Sequence, residues 1–135
     1  MAKAALKGIY VLIIHVKKSV KIRIGALGTV NIEEGKYAYV GSAQKNLECR
    51  VRRHLRREKR KFWHIDYLLD SDTAEVLEVR YKSGDKTEEC KIAQLIAKQG
   101  KAVEGFGASD CRCISHLFQI ENQQCLEKET QIVEL

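Results

Sequence analysis

From Gly8 to Val16 the chain places Ile9, Tyr10, Val11, Ile13 and Ile14 almost without polar interruption. That is the pattern of a β-strand buried on both faces, and so of one central in a sheet. Val20, Ile22 and Ile24 then alternate with Lys21 and Arg23, which gives the next strand one wet face. The run Gly25-Ala26-Leu27-Gly28 turns the chain back into a return strand from Thr29 to Ile32, completing a hairpin. After Glu33-Glu34-Gly35 a further strand passes through Tyr37, Ala38, Tyr39 and Val40 to Gly41. Up to Gly41 the chain is mostly β.

At Asn46 the period changes. Leu47, Val51 and Leu55 recur every fourth residue, an amphipathic helix with Asn46 as its N-cap and basic residues on its other faces. Phe62, Trp63, Ile65, Leu68 and Leu69 predict a second, short helix, and the alternation from Ala74 to Tyr81 another strand, closed by Ser83-Gly84-Asp85. Ile92, Leu95 and Ile96 mark a third helix that runs to Gln99, with Gly100 where helices commonly stop. Val103 and the segment from His116 to Ile120 are weaker strand signals around a glycine-rich loop, and beyond Glu121 the mixed polar sequence fixes no element. The expected fold is α/β in the broad α+β sense: a small central mixed or antiparallel sheet, about three flanking helices, and an extra hairpin. One domain over 1–135 is expected, with a core at about 8–100, an extension at 101–121 and a polar tail at 122–135.

Charge narrows the partners. Lys and Arg number 24 against 18 Asp and Glu, a formal +6 with a pI near 9.1, which favours a polyanion through counterion release. The longest apolar stretch is too short to span a bilayer, and no signal peptide or lipidation motif is present, so neither export nor a membrane partner is expected and the compartment read is the cytoplasm. Five cysteines, Cys49, Cys90, Cys111, Cys113 and Cys125, are an odd set without disulfide-scaffold spacing.

Gly8-Ile9-Tyr10 on the first strand and Tyr39-Val40-Gly41 on the later one, followed by Arg50 and His54 on the first helix, resemble the signature of GIY-YIG nucleases. The resemblance implies two tyrosines and an arginine around a scissile phosphate, with a later helical glutamate binding one divalent metal. It names Tyr10, Tyr39, Arg50, His54 and such a glutamate. The interval between Tyr10 and Tyr39 is longer than this family's usual compact hairpin. The segment from Phe62 to Leu69, the run from Gly105 to Cys113, and Ser115-His116-Leu117-Phe118 are similar to a mainly archaeal branch of GIY-YIG-like domains, sometimes fused to endonuclease III-type DNA glycosylases.

Phosphodiester cleavage needs a base for water, cationic charge against the developing phosphorane and a metal for the leaving oxygen. A tyrosine titrates near 10 in water, so its use as base requires a neighbouring positive charge. Arg50 and His54, one helical turn apart on the border of the apolar stripe, are placed to supply it. Glu89 precedes Ile92, Ala93 and Ile96, which directs its carboxylate toward the packed side; Glu88 is the substitute. One carboxylate suits Mg²⁺ or Mn²⁺, which keep much of their water.

From Lys45 to Lys61 lie nine Lys or Arg residues against Glu48 and Glu58. Lys45, Arg53, Arg57, Arg60 and Lys61 are read as a cationic track for nucleic acid, DNA before RNA. His64 and Asp66 are read as a supporting pair at the site or as a helix-surface pair without a role. Cys111, Cys113 and His116, with Cys90 or Cys125 as a fourth donor, carry zinc's preferred atoms. Cys-x-Cys is tighter than the usual ligand gap, however, and a packed loop with Asp110 or His116 lining the cleft is the alternative. Gly25 and Gly28 make no dinucleotide fingerprint, and Gly35-Lys36-Tyr37 lacks the Ser or Thr of a P-loop. The functional expectation is a metal-dependent DNA endonuclease in repair or processing. Its rivals are a non-catalytic nucleic-acid-binding module and an accessory domain docking on a repair enzyme such as a glycosylase.

Overall fold

The computed structural model describes residues 7–56, 61, 63–107 and 115–133. Strand β1 (Gly8–Val16) pairs antiparallel along its whole length with β4 (Gly35–Ala43), and on its other side with β5 (Ala74–Lys82). The sheet has six strands, all antiparallel, with β6 (Lys101–Ala102), β7 (Leu117–Ile120) and β8 (Gln131–Ile132) completing the order β6-β7-β4-β1-β5-β8. Strand β1 is central, as its unbroken apolar run predicts. The expected hairpin is present as a separate two-stranded sheet, β2 (Val20–Ile24) and β3 (Gly28–Ile32), joined by a 3-10 turn over Gly25–Leu27.

Alternation along β1 divides the core in two. Tyr10, Leu12, Ile14 and Val16 join one cluster with helix α1 (Leu47–Leu55), helix α2 (His64–Leu69) and the inward residues Ile24 and Ile32 of the hairpin. Ile9, Val11 and Ile13 join the other, under helix α3 (Lys86–Ala97) and helix α4 (Gln124–Glu129). Each fully buried branched side chain contributes roughly 1.5–3 kcal/mol, so β1 alone anchors both layers.

Two expectations are corrected. Leu55 was read into the α1 stripe but is 43% exposed. Leu47, Val51 and His54 face inward instead, because positions i, i+4 and i+7 share a face while i+8 falls on its border at the last helical residue. The C-terminal stretch, left without an element, forms α4 and β8. Buried Arg80 on β5 pins it: Nε donates to Thr130 Oγ1 at 2.8 Å, Nη2 donates to Thr130 O at 3.0 Å, and Glu78 pairs with Nη1. A buried guanidinium so fully engaged holds a tail that little apolar surface secures.

Candidate active site

Tyr10 sits directly opposite Gly41 in the β1–β4 register. A Cβ at Gly41 would come within 2.4 Å of Tyr10 Cζ and Oη, so glycine there lets the phenol ring lie across β4. Tyr10 Oη is then 2.8 Å from His54 Nε2. Tyr39, on the same face of β4, presents its ring edge-on to His54 at 6.3 Å and to Phe106 at 6.1 Å.

Helix α1 starts at Asn46, whose side chain accepts the Cys49 N–H at 3.0 Å. It carries His54 inward and Arg50 and Arg53 along the wall. Both guanidinium groups lie over the Trp63 ring, at 4.4 and 4.5 Å from its centroid. Their charges are used differently. Arg53 is bidentate with the fully buried Asp66, at 2.9 and 3.0 Å, and Asp66 also accepts the Trp63 N–H at 2.9 Å. Arg50 donates to Ser42 O at 3.2 Å and has no carboxylate ion pair among the described residues. The basic track is therefore uneven: Arg53 is tied to the protein, and Lys61 is paired with Asp70 at 3.1 Å. Lys45 is exposed and lines the cleft. Arg57 and Arg60 lie outside the described residues.

Glu89 faces the same cleft from the first turns of α3, and its Oε1 is 2.7 Å from His116 Nδ1. His116 is pinned by its backbone, which donates to Phe106 O at 2.8 Å and accepts from Val40 N at 2.9 Å. Glu88 instead pairs with Lys82 and Lys91. His64 Nδ1 accepts the Gly107 N–H at 2.9 Å, and burial holds its pKa below the ordinary imidazole value. Gly107 adopts φ 69° against Tyr39 and His116, a conformation that favours glycine.

The cleft measures about 770 Å³ and brings together Tyr10, Tyr39, Arg50, Arg53, Trp63 and Glu89, with Lys45 and Lys86 at its margin. Trp63 and Lys86 were not singled out as site residues. Lys86 stands one turn before Glu89, and Trp63 directly precedes the His64 and Asp66 pair, so spacing from those residues was the available signal. Burial pushes the Tyr10 phenol up to about 12 although Arg50 pulls it down, and it holds Tyr39 higher than an exposed phenol. Tyr10 is thus a neutral hydroxyl near pH 7. Asp66 Oδ1 lies 3.9 Å from His54 Nδ1, beyond hydrogen-bond distance, and which of Tyr10 Oη and His54 Nε2 donates follows from the imidazole tautomer.

A family model described as a domain of unknown function, DUF123, matches residues 9–134. The chain belongs to the DUF123 family. No curated protein and no solved structure matches it. The DUF123 match includes α4 and β8, so the C-terminal stretch is part of the family's domain.

In this DUF123 chain the two metal readings rest on different donors. No three His, Cys, Asp or Glu side chains converge to hold a metal ion among the described residues. Cys111, Cys113 and the Cys125 side chain lie outside them, and His116 Nδ1 is engaged by Glu89. A single carboxylate in an open cleft fits a hard divalent ion that retains water, as Mg²⁺ and Mn²⁺ do. Among the described residues no helix is long and apolar enough to cross a membrane.

Proposed function

We propose that this chain is a GIY-YIG-type endonuclease that hydrolyses phosphodiester bonds in DNA with one divalent ion. The observation that carries the reading is the convergence, in one cation-lined cleft, of two buried tyrosines, an arginine with no carboxylate partner among the described residues, and a glutamate. Arg50 would meet the phosphate oxygens, held in place by Ser42 and Trp63. Tyr10 would orient the attacking water and pass a proton to His54. Glu89, fixed by His116, would hold Mg²⁺ or Mn²⁺, which when bound neutralises charge on the phosphate.

The test is incubation of the protein with supercoiled, branched and single-stranded DNA, with Mg²⁺, with Mn²⁺ and with EDTA. Metal-dependent cleavage is expected, lowered about a hundredfold or more by Arg50→Ala and abolished by Glu89→Gln with DNA affinity kept. Binding without cleavage on every substrate would leave a nucleic-acid-binding module. Capture of a purified glycosylase in the absence of DNA would favour an accessory domain.

A further inference from the structure

The β2–β3 ribbon interrupts the spacing between the two tyrosine segments, and none of the chemistry above uses it. Its inner face, Val20, Ile22, Ile24, Val30 and Ile32, rests on the core that holds Tyr10 and Tyr39. Its turn abuts the cleft walls: Gly25 lies against Tyr67 of α2, and Leu27 against Gly105 in the loop that leads to Gly107. The outer face consists of Lys21 opposite Asn31 and Arg23 opposite Thr29, all exposed.

Two features set this face apart. The first is charge: Lys21 and Arg23, like Lys45 and Arg50 at the cleft, meet no carboxylate among the described residues, whereas Lys17, Lys61, Lys82, Lys91 and Lys101 each do. Glu33 and Glu104 line a pocket together with Thr29 and Asn31, where Glu33 is paired with Lys101. The second is donor type. Arg and Lys match guanine O6 and N7, Asn matches adenine N6 and N7, and Thr meets either base or the thymine methyl. A two-stranded ribbon, its strands about 4.8 Å apart, fits a major groove about 12 Å wide.

We infer that the outer face of the β2–β3 ribbon, through Lys21, Arg23, Thr29 and Asn31, enters the major groove of duplex DNA beside the cleft. The inference rests on the proposed action on DNA, and it makes the substrate double-stranded on at least one side of the cut. Arg23, nearest the turn, reads a guanine, and Lys21 adds a phosphate or base contact. The deep, narrow major groove of an RNA duplex does not admit the ribbon.

The experiment is dimethyl sulfate protection together with gel-shift titration on a short DNA duplex in EDTA, where cutting is suspended. The wild-type protein should protect guanine N7. Arg23→Ala should abolish that protection and weaken binding about tenfold or more, and Lys21→Ala should lower the salt slope by about one. Circular dichroism checks that these exposed-face variants stay folded. Absent binding, bound duplex with unprotected guanines, equal competition by single-stranded DNA or duplex RNA, or unchanged Arg23→Ala binding would each overturn the inference. Adding Mg²⁺ to the same samples separates it from the nuclease reading. Protection without cleavage keeps the ribbon and removes the nuclease; cleavage without protection does the reverse.

Discussion

The two faces of the central sheet share one strand and differ in how much polar chemistry they bury. Under α3 and α4 the apolar core is Ile9, Val11, Ile13, Ala38, Val40, Ile92, Ala93, Ile96, Phe118, Ile120 and Leu126, and the buried Arg80 guanidinium, opposite Val11 in the register, is engaged by Thr130 and Glu78. Under α1 and α2 the apolar cluster includes the three phenols of Tyr10, Tyr37 and Tyr39 and is joined by His54 and Asp66, all nearly buried. Apolar burial stabilises wherever shapes fit, whereas a buried polar group costs several kcal/mol unless each of its atoms is answered. The second face therefore depends on its pairs: Tyr10 with His54, and Asp66 with Arg53 and the Trp63 N–H. One face holds the sheet together, and the other holds chemistry at the cost of mutual dependence.

The sharpest way to break that contrast is Asp66→Ala. It leaves the Arg53 guanidinium and the Trp63 N–H without the carboxylate they share, and removing one partner of a buried pair costs about 3–5 kcal/mol. Urea unfolding should show that loss. A cost below about 1 kcal/mol would mean that the polar cluster is not interdependent and that the two faces follow one rule.

Alkali should distinguish the faces next. Tyr10 and Tyr37 are each pushed up to about 12 from the ordinary 10, burial being the main cause, and Tyr39 is also raised. All three belong to the cleft-side cluster. Above pH 10 the unfolded chain loses phenol protons that the folded chain keeps, so this contribution is complete below about pH 10 and is lost as pH rises through about 12. For Tyr10 the loss is about 2–3 kcal/mol, and Tyr10→Phe should flatten the fall in unfolding free energy by about one proton. An identical slope in both proteins would show that Tyr10 titrates as a solvated phenol.

The plain face was also the more legible one in the sequence. An unbroken run such as Ile9 to Ile14 encodes its own burial, and Asn46 announces α1 by its capping oxygen. The polar face was legible only where residues form a local pattern: Gly8-Ile9-Tyr10, Tyr39-Val40-Gly41, Arg50, His54 and Glu89 are brought to one region. Pairs made across the fold left no trace in spacing. His116 reaches Glu89 from a different element, and Asp66 reaches Arg53 across the stretch between two helices. Helix α4 and β8 were not legible because, among the described residues there, Leu126 and the C-cap Thr130 are the buried ones, too few to show a period.

Gly41→Ala tests whether the polar face tolerates the smallest intrusion. The added methyl meets the Tyr10 ring and hydroxyl at 2.4 Å, so the phenol must leave His54 or β4 must shift, at about 1–3 kcal/mol. The proposed DNA cleavage should fall with it. An unchanged melting temperature together with unchanged cleavage would show that Tyr10 needs no glycine opposite it.

The smallest expected effect is the most informative about how the faces are joined. Helix α3 belongs to both: Ile92, Ala93 and Ile96 fix it on the apolar side, while Glu89, one turn earlier, faces the cleft and meets His116. Ile92→Val removes one methylene from the apolar side and should cost about 0.5–1.5 kcal/mol. If His116 alone sets the Glu89 carboxylate, cleavage per folded molecule and its dependence on Mg²⁺ concentration should not change. A higher Mg²⁺ requirement would show instead that the packing of α3 against Val11 and Ile13 aims the carboxylate. The apolar face would then be part of the site's positioning machinery, and the division between holding and chemistry would run through α3 rather than along the sheet.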